Sequence, residues 1–212
     1  YYETAAVEGF IDYDQAVVYP FGYGLSYTGF DWQISDRQLT GEDGQLSVDV
    51  TVTNTGSVAG KDVVELYYSA PYTPGGIEKS SVVLGAFAKT GLLQPGQSET
   101  VTLSLNMEDM ASYDTYGKGC YVLEKGDYVI SINADSHTVL DSKVYNVASD
   151  IVYDASNKRE SDVEVADNKF DFAEGNVTYL SRADGFANYA EATAAPADFE
   201  LPAEAKATFY NN

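Results

Sequence analysis

Cysteine, histidine and positive charge are all scarce in this chain of 212 residues. Cys120 is the single cysteine and His137 the single histidine. An internal disulfide is therefore impossible, and any site that needs two imidazoles or two thiolates from this chain is excluded. Twelve Lys and Arg stand against 33 Asp and Glu, which gives a formal net charge of −21 at pH 7. This balance argues against nucleic-acid binding, which depends on clustered cations that displace counterions from the phosphates.

Long apolar runs are also missing. No run of eighteen apolar residues occurs, so the sequence predicts no membrane-spanning helix, and an anionic membrane surface would repel the chain. The first ten residues, YYETAAVEGF, have neither the basic start nor the apolar stretch of a secretion signal. They begin without Met, in what reads as the middle of an element. We therefore expect an internal fragment of a longer protein, whose compartment these residues leave undetermined.

What the chain does contain is apolar alternation with a period of two. In QLSVDVTVTNTG, Leu46, Val48, Val50 and Val52 fall on one face, while serine, aspartate and threonine fall on the other. Such alternation is typical of a β-strand with one face in water. Segments with a strand pattern occur at residues 30–35, 45–56, 62–69, 81–87, 99–106, 126–133 and 138–147.

About seven short strands separated by turn signals such as Pro95-Gly96 predict an all-β fold. This spacing is typical of an antiparallel β-sandwich of the immunoglobulin or fibronectin type III kind. No long segment with helical periodicity and no internal repeat competes with it. We expect the sandwich over residues 30–147, an irregular aromatic flank over residues 1–29, and an acidic extended tail over residues 148–212.

Four groups of residues resemble catalytic or cofactor-binding motifs, and each has a plainer explanation. Asp135-Ser136-His137 has the residue types of a hydrolytic triad, but three neighbours in sequence are not expected to converge. The segment Gly22–Tyr27 nearly spells the dinucleotide-binding fingerprint, but its third glycine and a strand-turn-helix setting are missing. Cys120 is expected to be a buried small hydrophobe. Asp12 and Asp14 are a close carboxylate pair of the sort that 33 acidic residues produce by chance.

Recognition of sugars at the surface is an alternative that the composition leaves open. The eighteen tyrosines could offer rings that stack on the apolar faces of a saccharide, although most lie within strand patterns, where they commonly pack across strands. No stretch has the alternating ligands of a calcium loop. Asn176-Val177-Thr178 fits a glycosylation sequon. We therefore assign no catalytic, substrate-binding or metal-binding residue, and no cofactor.

Five segments carry a family resemblance, in one order and with matching spacing. They are YPFGYGLSYTGF, VDVTVTNTGSVAGKDVVELYYSAPY, LLQPGQSETVTLSL, MASYD and YVLEKGDYVISI. Over residues 1 to about 147 the chain closely resembles the C-terminal region of glycoside hydrolase family 3, of the β-glucosidase type. In that family the FGYGLSYT segment leaves an α/β sandwich domain and enters a fibronectin type III-like domain. The resemblance implies that residues 19–30 are an interdomain joint; a substrate-contacting loop is the alternative.

The composition of this stretch agrees with a joint. Pro20 restricts its own φ and favours an extended Tyr19 before it, while Gly22 and Gly24 permit tight backbone turns. The aromatic side chains can then bury large apolar areas on both sides of the joint.

The resemblance implies a non-catalytic role for this chain. Similar family members carry a nucleophilic Asp on a (β/α)8 barrel and an acid/base Glu on the α/β sandwich, and both would lie outside these residues. The stretch YYETAAVEGFIDYDQ resembles only the last part of that α/β sandwich. Retaining hydrolysis needs both carboxylates, about 5 Å apart, so the chain alone is expected to be inactive. We expect an accessory region that braces the barrel and α/β sandwich of a carbohydrate-cleaving parent and shapes the entrance to its active site.

Two other classes of function and one further resemblance complete the expectations. The alternative class is a stand-alone carbohydrate-binding module, and a cell-surface adhesive domain would show tandem copies, which this sequence lacks. In the tail, VTYLSRADGFANY resembles the connector of family members with permuted domain order. This implies that residues 148–212 are a linker or strap toward a barrel. Anchors for it are expected at Phe170, Phe172, Tyr179 and Leu180.

Overall fold

The computed structural model describes residues 9, 11–35, 44–164, 177–195 and 203–210. Its strands are β1 (Phe30–Ile34), β2 (Gln45–Asn54), β3 (Val63–Ser69), β4 (Val83–Lys89), β5 (Ser98–Asn106), β6 (Ser112–Tyr113), β7 (Tyr121–Leu123), β8 (Gly126–Asp135), β9 (Thr138–Val147) and β10 (Ile151–Tyr153). Its α-helices are α1 (Tyr13–Ala16), α2 (Tyr189–Ala192) and α3 (Ala203–Tyr210), and a 3-10 turn covers Met107–Met110.

The strands form an antiparallel β-sandwich, which confirms the predicted fold class. Sheet one has the order β1-β2-β5, and sheet two has the order β4-β3-β8-β9. A small third sheet, β10-β7-β6, is built from strands of two or three residues. All seven predicted strands are present. The three short ones were not predicted, because two or three residues are too few to show an alternating pattern.

The core lies between sheets one and two, on the faces that the alternation predicts. Leu46, Val50 and Val52 of β2 have no exposed area, and neither have Val64 and Leu66 of β3. The remaining buried apolar side chains of this core include Val48, Tyr68, Val101, Leu103, Leu105, Tyr128, Ile130 and Ile132. Period-two alternation therefore identified the inward faces correctly.

The outward face of sheet one is covered with paired hydroxyl groups. Across β2 and β5, the register places Ser47 opposite Ser104, Thr51 opposite Thr100 and Thr53 opposite Ser98. Their side-chain oxygens lie 3.1, 2.8 and 2.8 Å apart. Each pair forms a cross-strand hydrogen bond, which stabilises the pairing of β2 with β5 in this register.

Sheet two differs from sheet one because the outward face of its central strand is buried under another part of the chain. On β3, Val64, Leu66 and Tyr68 point into the core, while Glu65 and Tyr67 point outward and are only 8% and 1% exposed. β3 is central, lying between β4 and β8. The segment that precedes β1 supplies the cover, and it defines the candidate site.

Candidate functional site

Residues 11–29, here called the joint segment, start with the short helix α1. Asp12 caps this helix: its Oδ1 accepts a hydrogen bond from the Asp14 backbone N–H at 3.1 Å, and its Oδ2 accepts one from Gln15 Nε2 at 2.8 Å. The carboxylate is thus used to satisfy a free helical N–H. The carboxylate pair Asp12 and Asp14 belongs to a helix start.

Gly22 of the joint segment lies directly over Glu65 and Tyr67, here called the buried pair. Tyr67 donates its hydroxyl hydrogen to Glu65 Oε2 at 2.7 Å. A Cβ on Gly22 would lie 2.2 Å from that oxygen and 2.6 Å from the Tyr67 hydroxyl, and the φ of Gly22 is +85°. Only glycine fits both the space and the backbone conformation. The glycine-rich joint is therefore matched to two side chains of β3.

The environment of the buried pair favours a protonated carboxyl group. Burial raises the pKa of Glu65, the hydrogen bond from Tyr67 lowers it, and the nearby charge of Asp135 raises it further. Burial also raises the pKa of Tyr67, so its hydroxyl keeps its proton. Asn133 lies opposite Glu65 in the β3–β8 register, and its Oδ1 has no hydrogen-bond partner among the described residues. Burial and the charge of Asp135 thus both favour the neutral form of Glu65.

The turn between β8 and β9 holds the joint segment from the other side. Ser136 donates its backbone N–H to the carbonyl oxygen of Phe21 at 2.8 Å. The His137 ring stacks on the Tyr13 ring, with centroids 4.4 Å apart and planes 26° from parallel. The Tyr13 hydroxyl and His137 Nδ1 are 3.2 Å apart. The one histidine of the chain thus contacts the joint segment.

We expected that the side chains of Asp135, Ser136 and His137 would not converge. This expectation is right for Asp135 and wrong for Ser136 and His137. Ser136 Oγ and His137 Nδ1 do meet, at 2.9 Å. The Asp135 carboxylate instead accepts hydrogen bonds from the backbone N–H groups of His137 and Thr138 and from the Thr138 hydroxyl. It therefore stabilises the turn and does not orient the imidazole, so these residues lack the relay of a triad.

Asn54, at the end of β2, joins the joint segment to the sandwich. This fully buried side chain donates to the carbonyl oxygens of Val58 and Leu93 at 2.8 and 2.9 Å. Its Oδ1 accepts from the Thr28 hydroxyl at 2.7 Å and from the Gly56 N–H at 3.0 Å. Sequence reasoning saw only a turn signal here. An asparagine with all four of these contacts cannot be told from a turn asparagine by sequence alone.

Above these contacts the joint segment exposes an apolar face. The five side chains, here called the aromatic surface, are 62 to 102% exposed: Val18, Tyr19, Phe21, Leu25 and Tyr27. Beside Tyr19 and Phe21 a cleft open to solvent lies between the joint segment and β4, and its lining also includes Tyr13, Tyr67, Val83 and His137. An exposed apolar cluster next to a cleft is characteristic of an interaction surface.

The tail segment, residues 177–195, is attached to the connection between β3 and β4. Glu78 accepts hydrogen bonds from Ser181 Oγ at 2.7 Å and from the Arg182 backbone N–H at 3.0 Å. The Arg182 guanidinium lies over the Tyr72 ring, 4.1 Å from its centroid. The expected apolar anchors Tyr179 and Leu180 are 54% and 37% exposed, so the attachment is polar. Phe170, Phe172 and Asn176 of the sequon lie outside the described residues.

A second attachment precedes the tail segment. The Arg159 guanidinium lies 3.7 Å from the centroid of the Tyr121 ring and forms two hydrogen bonds with Asp162. That pairing holds the pKa of Asp162 below its usual range. Glu108 accepts the backbone N–H groups of Glu160 and Ser161 at 2.8 and 3.3 Å.

The other candidates have structural explanations. Cys120 is 4% exposed, and burial, followed by the charges of Asp154 and Asp114, raises the pKa of its thiol, as expected for an unreactive buried cysteine. The segment Gly22–Tyr27 leads into an antiparallel strand, which is not the setting of a dinucleotide site. Across the described ranges, no group of three or more His, Cys, Asp or Glu could hold a metal ion. Within the same ranges, no helix has the length and apolarity needed to cross a bilayer.

Comparison with known proteins gives one family model and many relatives. Residues 62–136 match the model of a fibronectin type III-like domain. β-Glucosidase A of Butyrivibrio fibrisolvens is 49% identical over 130 residues, which cover 54% of this chain and 15% of the relative. A β-glucosidase structure from Paenibacillus barengoltzii has 41% identity and a TM-score of 0.60, over 71% of this chain and 17% of that one. A Bifidobacterium adolescentis GH3 β-glucosidase structure has 26% identity and a TM-score of 0.53, over 64% of this chain and 19% of that one.

The chain is similar, over the matched residues, to a region of known β-glucosidases that contains a fibronectin type III-like domain. It spans only about a sixth of the length of these relatives. The matched residues of the fibronectin type III-like domain start at Asp62 and end at Ser136, so they include the buried pair and the turn that bonds Phe21. Part of the contact surface for the joint segment thus lies within the matched domain, while Asn54 and His137 lie outside it.

Proposed function

We propose that this region is a non-catalytic accessory part of a β-glucosidase-type enzyme and braces its catalytic domains. The observation that carries the proposal is the aromatic surface, held on the sandwich by the contacts around Gly22 and Asn54. Five large apolar side chains are exposed there, and two of them, Tyr19 and Phe21, line a cleft. Burying such side chains contributes about 1.5–3 kcal/mol each. A surface of this kind suits a permanent neighbour in the same parent chain.

The proposed neighbours are the (β/α)8 barrel and the α/β sandwich of the parent. Support comes from the relatives, of which this region is a small part, and from the joint segment, which connects toward the α/β sandwich in the family resemblance. The β8–β9 turn and the cleft beside it lie next to the aromatic surface. We further propose that this turn shapes the entrance to the parent's active site, where the carbohydrate substrate binds.

The limits of the units also belong to the proposal. Residues 1–29 are the end of the α/β sandwich and the joint, residues 30–147 the fibronectin type III-like sandwich, and residues 148–212 a strap. The polar attachments at Glu78 and Glu108 support a strap that follows the sandwich surface. In the permuted order, this strap would lead to the barrel.

The first experiment is to sequence the coding DNA on both sides of this segment. A downstream barrel with an upstream α/β sandwich supports the permuted enzyme, and an upstream barrel supports the ordinary order. If neither side encodes a barrel, the accessory role is wrong. The isolated chain is expected to hydrolyse no chromogenic β-glucoside, because both catalytic carboxylates lie elsewhere.

The bracing role itself is tested in the full parent chain with a double change, Phe21→Ser and Tyr27→Ser. We expect a lower melting temperature of the catalytic domains, since these two side chains lose their apolar contact area. Val144→Ser is the matched control, because Val144 is 61% exposed on the edge strand β9. Equal melting temperatures for the double variant and the wild type would contradict bracing through this surface.

A further inference from the structure

A second groove lies on the sandwich, between the β6–β7 turn and the tail segment. It is open to solvent, and its walls include Tyr113, Tyr116, Val122, Asp150 and Tyr179. We call it the tyrosine groove. It is separate from the cleft beside the joint segment, with which it shares no lining residue. A concave site with aromatic walls and a few polar groups is the usual form of a small-molecule site.

One wall of the groove is a turn with a rigid backbone. Asp114 accepts hydrogen bonds from the backbone N–H groups of Gly117 and Lys118, at 2.9 Å each. A Cβ on Gly117 would collide with the Asp114 carboxylate, so a side chain at this position would displace the group that accepts the two N–H bonds of the turn. Tyr116, within the turn, is 76% exposed. An exposed ring on a preorganised turn can contact a ligand at low cost in entropy.

Tyr113 adds a second ring with a well-defined orientation to the same wall. Its hydroxyl donates to the carbonyl oxygen of Gly119 at 2.9 Å. Its ring meets the Tyr121 ring edge to face, with centroids 5.3 Å apart and an angle of 79°. The hydrogen bond and the ring contact together orient the Tyr113 side chain without help from a ligand.

The opposite wall is the start of the tail segment. Asn188 donates from Nδ2 to the carbonyl oxygen of Tyr179 at 2.8 Å and accepts the Ser181 N–H at 3.0 Å. Ser181 is bound in turn to Glu78. The backbone that carries Tyr179, which is 54% exposed, is therefore held at its own carbonyl group and at Ser181. The tail segment is attached to the sandwich through these polar contacts, and the Tyr179 side chain stays exposed.

The charges around the groove select the class of ligand. Four carboxylates line it, from Glu78, Asp114, Glu124 and Asp150; Glu124 is paired with Lys79, and Lys118 adds one ammonium group to the lining, so negative charge remains in excess. Anionic ligands are repelled by this excess and by the net charge of −21. Hydroxyl groups of a neutral ligand can donate to carboxylates, and the apolar faces of a sugar ring can stack on tyrosine.

We propose that the tyrosine groove binds a neutral saccharide between Tyr116 and Tyr179. The saccharide class follows from the groove, whereas the choice of β-linked glucose oligomers as probes rests on the proposed function. Binding here adds a carbohydrate contact outside the parent's catalytic domains. It does not depend on the aromatic surface, which lies on the joint segment.

The test is a titration of the full 212-residue chain with cellobiose and cellotetraose, followed by NMR shifts of the Tyr116, Gly117 and Tyr179 amides. We expect saturable shifts, and association about tenfold weaker in Tyr116→Ala and in Tyr179→Ala, since each loses one stacking surface. Tyr116→Phe keeps the ring and is expected to retain binding. Phe87→Ala is the matched control, because Phe87 is 69% exposed on β4, outside both the groove and the aromatic surface.

Absence of saturable shifts with both sugars overturns the proposal. It is also overturned if Phe87→Ala weakens binding as much as Tyr116→Ala, or if Tyr116→Phe does. Binding of a lysine-rich peptide without binding of either sugar would assign the groove to a cationic partner and would equally overturn it. The melting experiment on the parent chain is independent, so failure of the groove and failure of the bracing role are distinguishable.

Discussion

At the scale of single residues, Gly22 shows how closely the joint segment is matched to β3. A side chain at this position would collide with the buried pair, and its φ of +85° is unfavourable for any residue with a Cβ. We expect Gly22→Ala to lose about 2 kcal/mol of the free energy that holds the joint segment on the sheet. The Ser136 amide is protected from hydrogen exchange by its bond to the Phe21 carbonyl oxygen. Because exchange requires that bond to open, a loss of about 2 kcal/mol corresponds to exchange about thirtyfold faster.

Gly24 provides the control for this change. A Cβ on Gly24 would meet nothing within 4 Å. Hydrogen exchange of the Ser136 amide in Gly24→Ala should therefore match the wild type. Equal exchange rates in Gly22→Ala and Gly24→Ala would show that Gly22 is not held against the buried pair.

Glu65 gives the fold a predictable dependence on pH. Its pKa is raised above the ordinary value of 4.5 by burial, so folding favours the protonated form. Its stabilising contribution is fully present below pH 4.5 and is lost as the pH rises through the elevated pKa. Glu65→Gln cannot ionise, so we expect it to be more stable than the wild type at pH 8.

Urea unfolding of both proteins at several pH values checks this expectation. The difference in free energy of unfolding should shrink as the pH falls and level off below 4.5, where Glu65 becomes neutral in both states. Other carboxylates titrate equally in the two proteins and cancel in the difference. A constant difference from pH 4 to pH 8 would mean that Glu65 is not buried as the structure has it.

At the scale of elements, the sequence predicted every strand long enough to show alternation. Inward positions such as Leu46 and Leu103 were identified because one buried face imposes a period of two. Strand β7, with three residues, has no such period. The candidate site was harder to predict, since Gly22, Glu65 and Ser136 are far apart in sequence. Only the β3–β8 register and the path of the joint segment bring them together, and neither leaves a local pattern.

The tail segment allows a test of one element alone. Replacing Glu78 by Ala removes two hydrogen bonds to Ser181 and Arg182, each made to a charged acceptor. Such bonds contribute about 1.5–3 kcal/mol each. We expect trypsin to cleave after Arg182 at least about tenfold faster in Glu78→Ala, because the site must leave Tyr72 to enter the protease.

Glu164→Ala is the control, as Glu164 is an exposed acidic residue ahead of the tail segment. Its cleavage rate after Arg182 should equal that of the wild type. If Glu78→Ala also leaves the rate unchanged, the tail segment is held by other contacts, and the polar attachment described above is not what retains it.

At the scale of the whole molecule, the aromatic surface and the net charge oppose each other. Large exposed side chains such as Phe21 and Tyr27 favour association, while the charge of −21 keeps copies apart. Salt shortens the screening length from about 30 Å at 0.01 M to about 3 Å at 1 M. We therefore expect the isolated chain to associate as salt increases, measured by sedimentation velocity. Phe21→Ser should reduce association, whereas an unchanged salt dependence in that variant would exclude the aromatic surface as its cause.

The hydroxyl pairs on sheet one have a consequence for how the sandwich is oriented in an assembly. Ser47 with Ser104 and Thr51 with Thr100 use their hydrogen bonds on each other. A neighbour packed against them would have to break these pairs or leave its own polar groups without partners. Sheet two carries the joint segment instead. The two faces of the sandwich are therefore not equivalent: a neighbouring domain gains contacts on the sheet-two side, while the sheet-one side is more stable in contact with water.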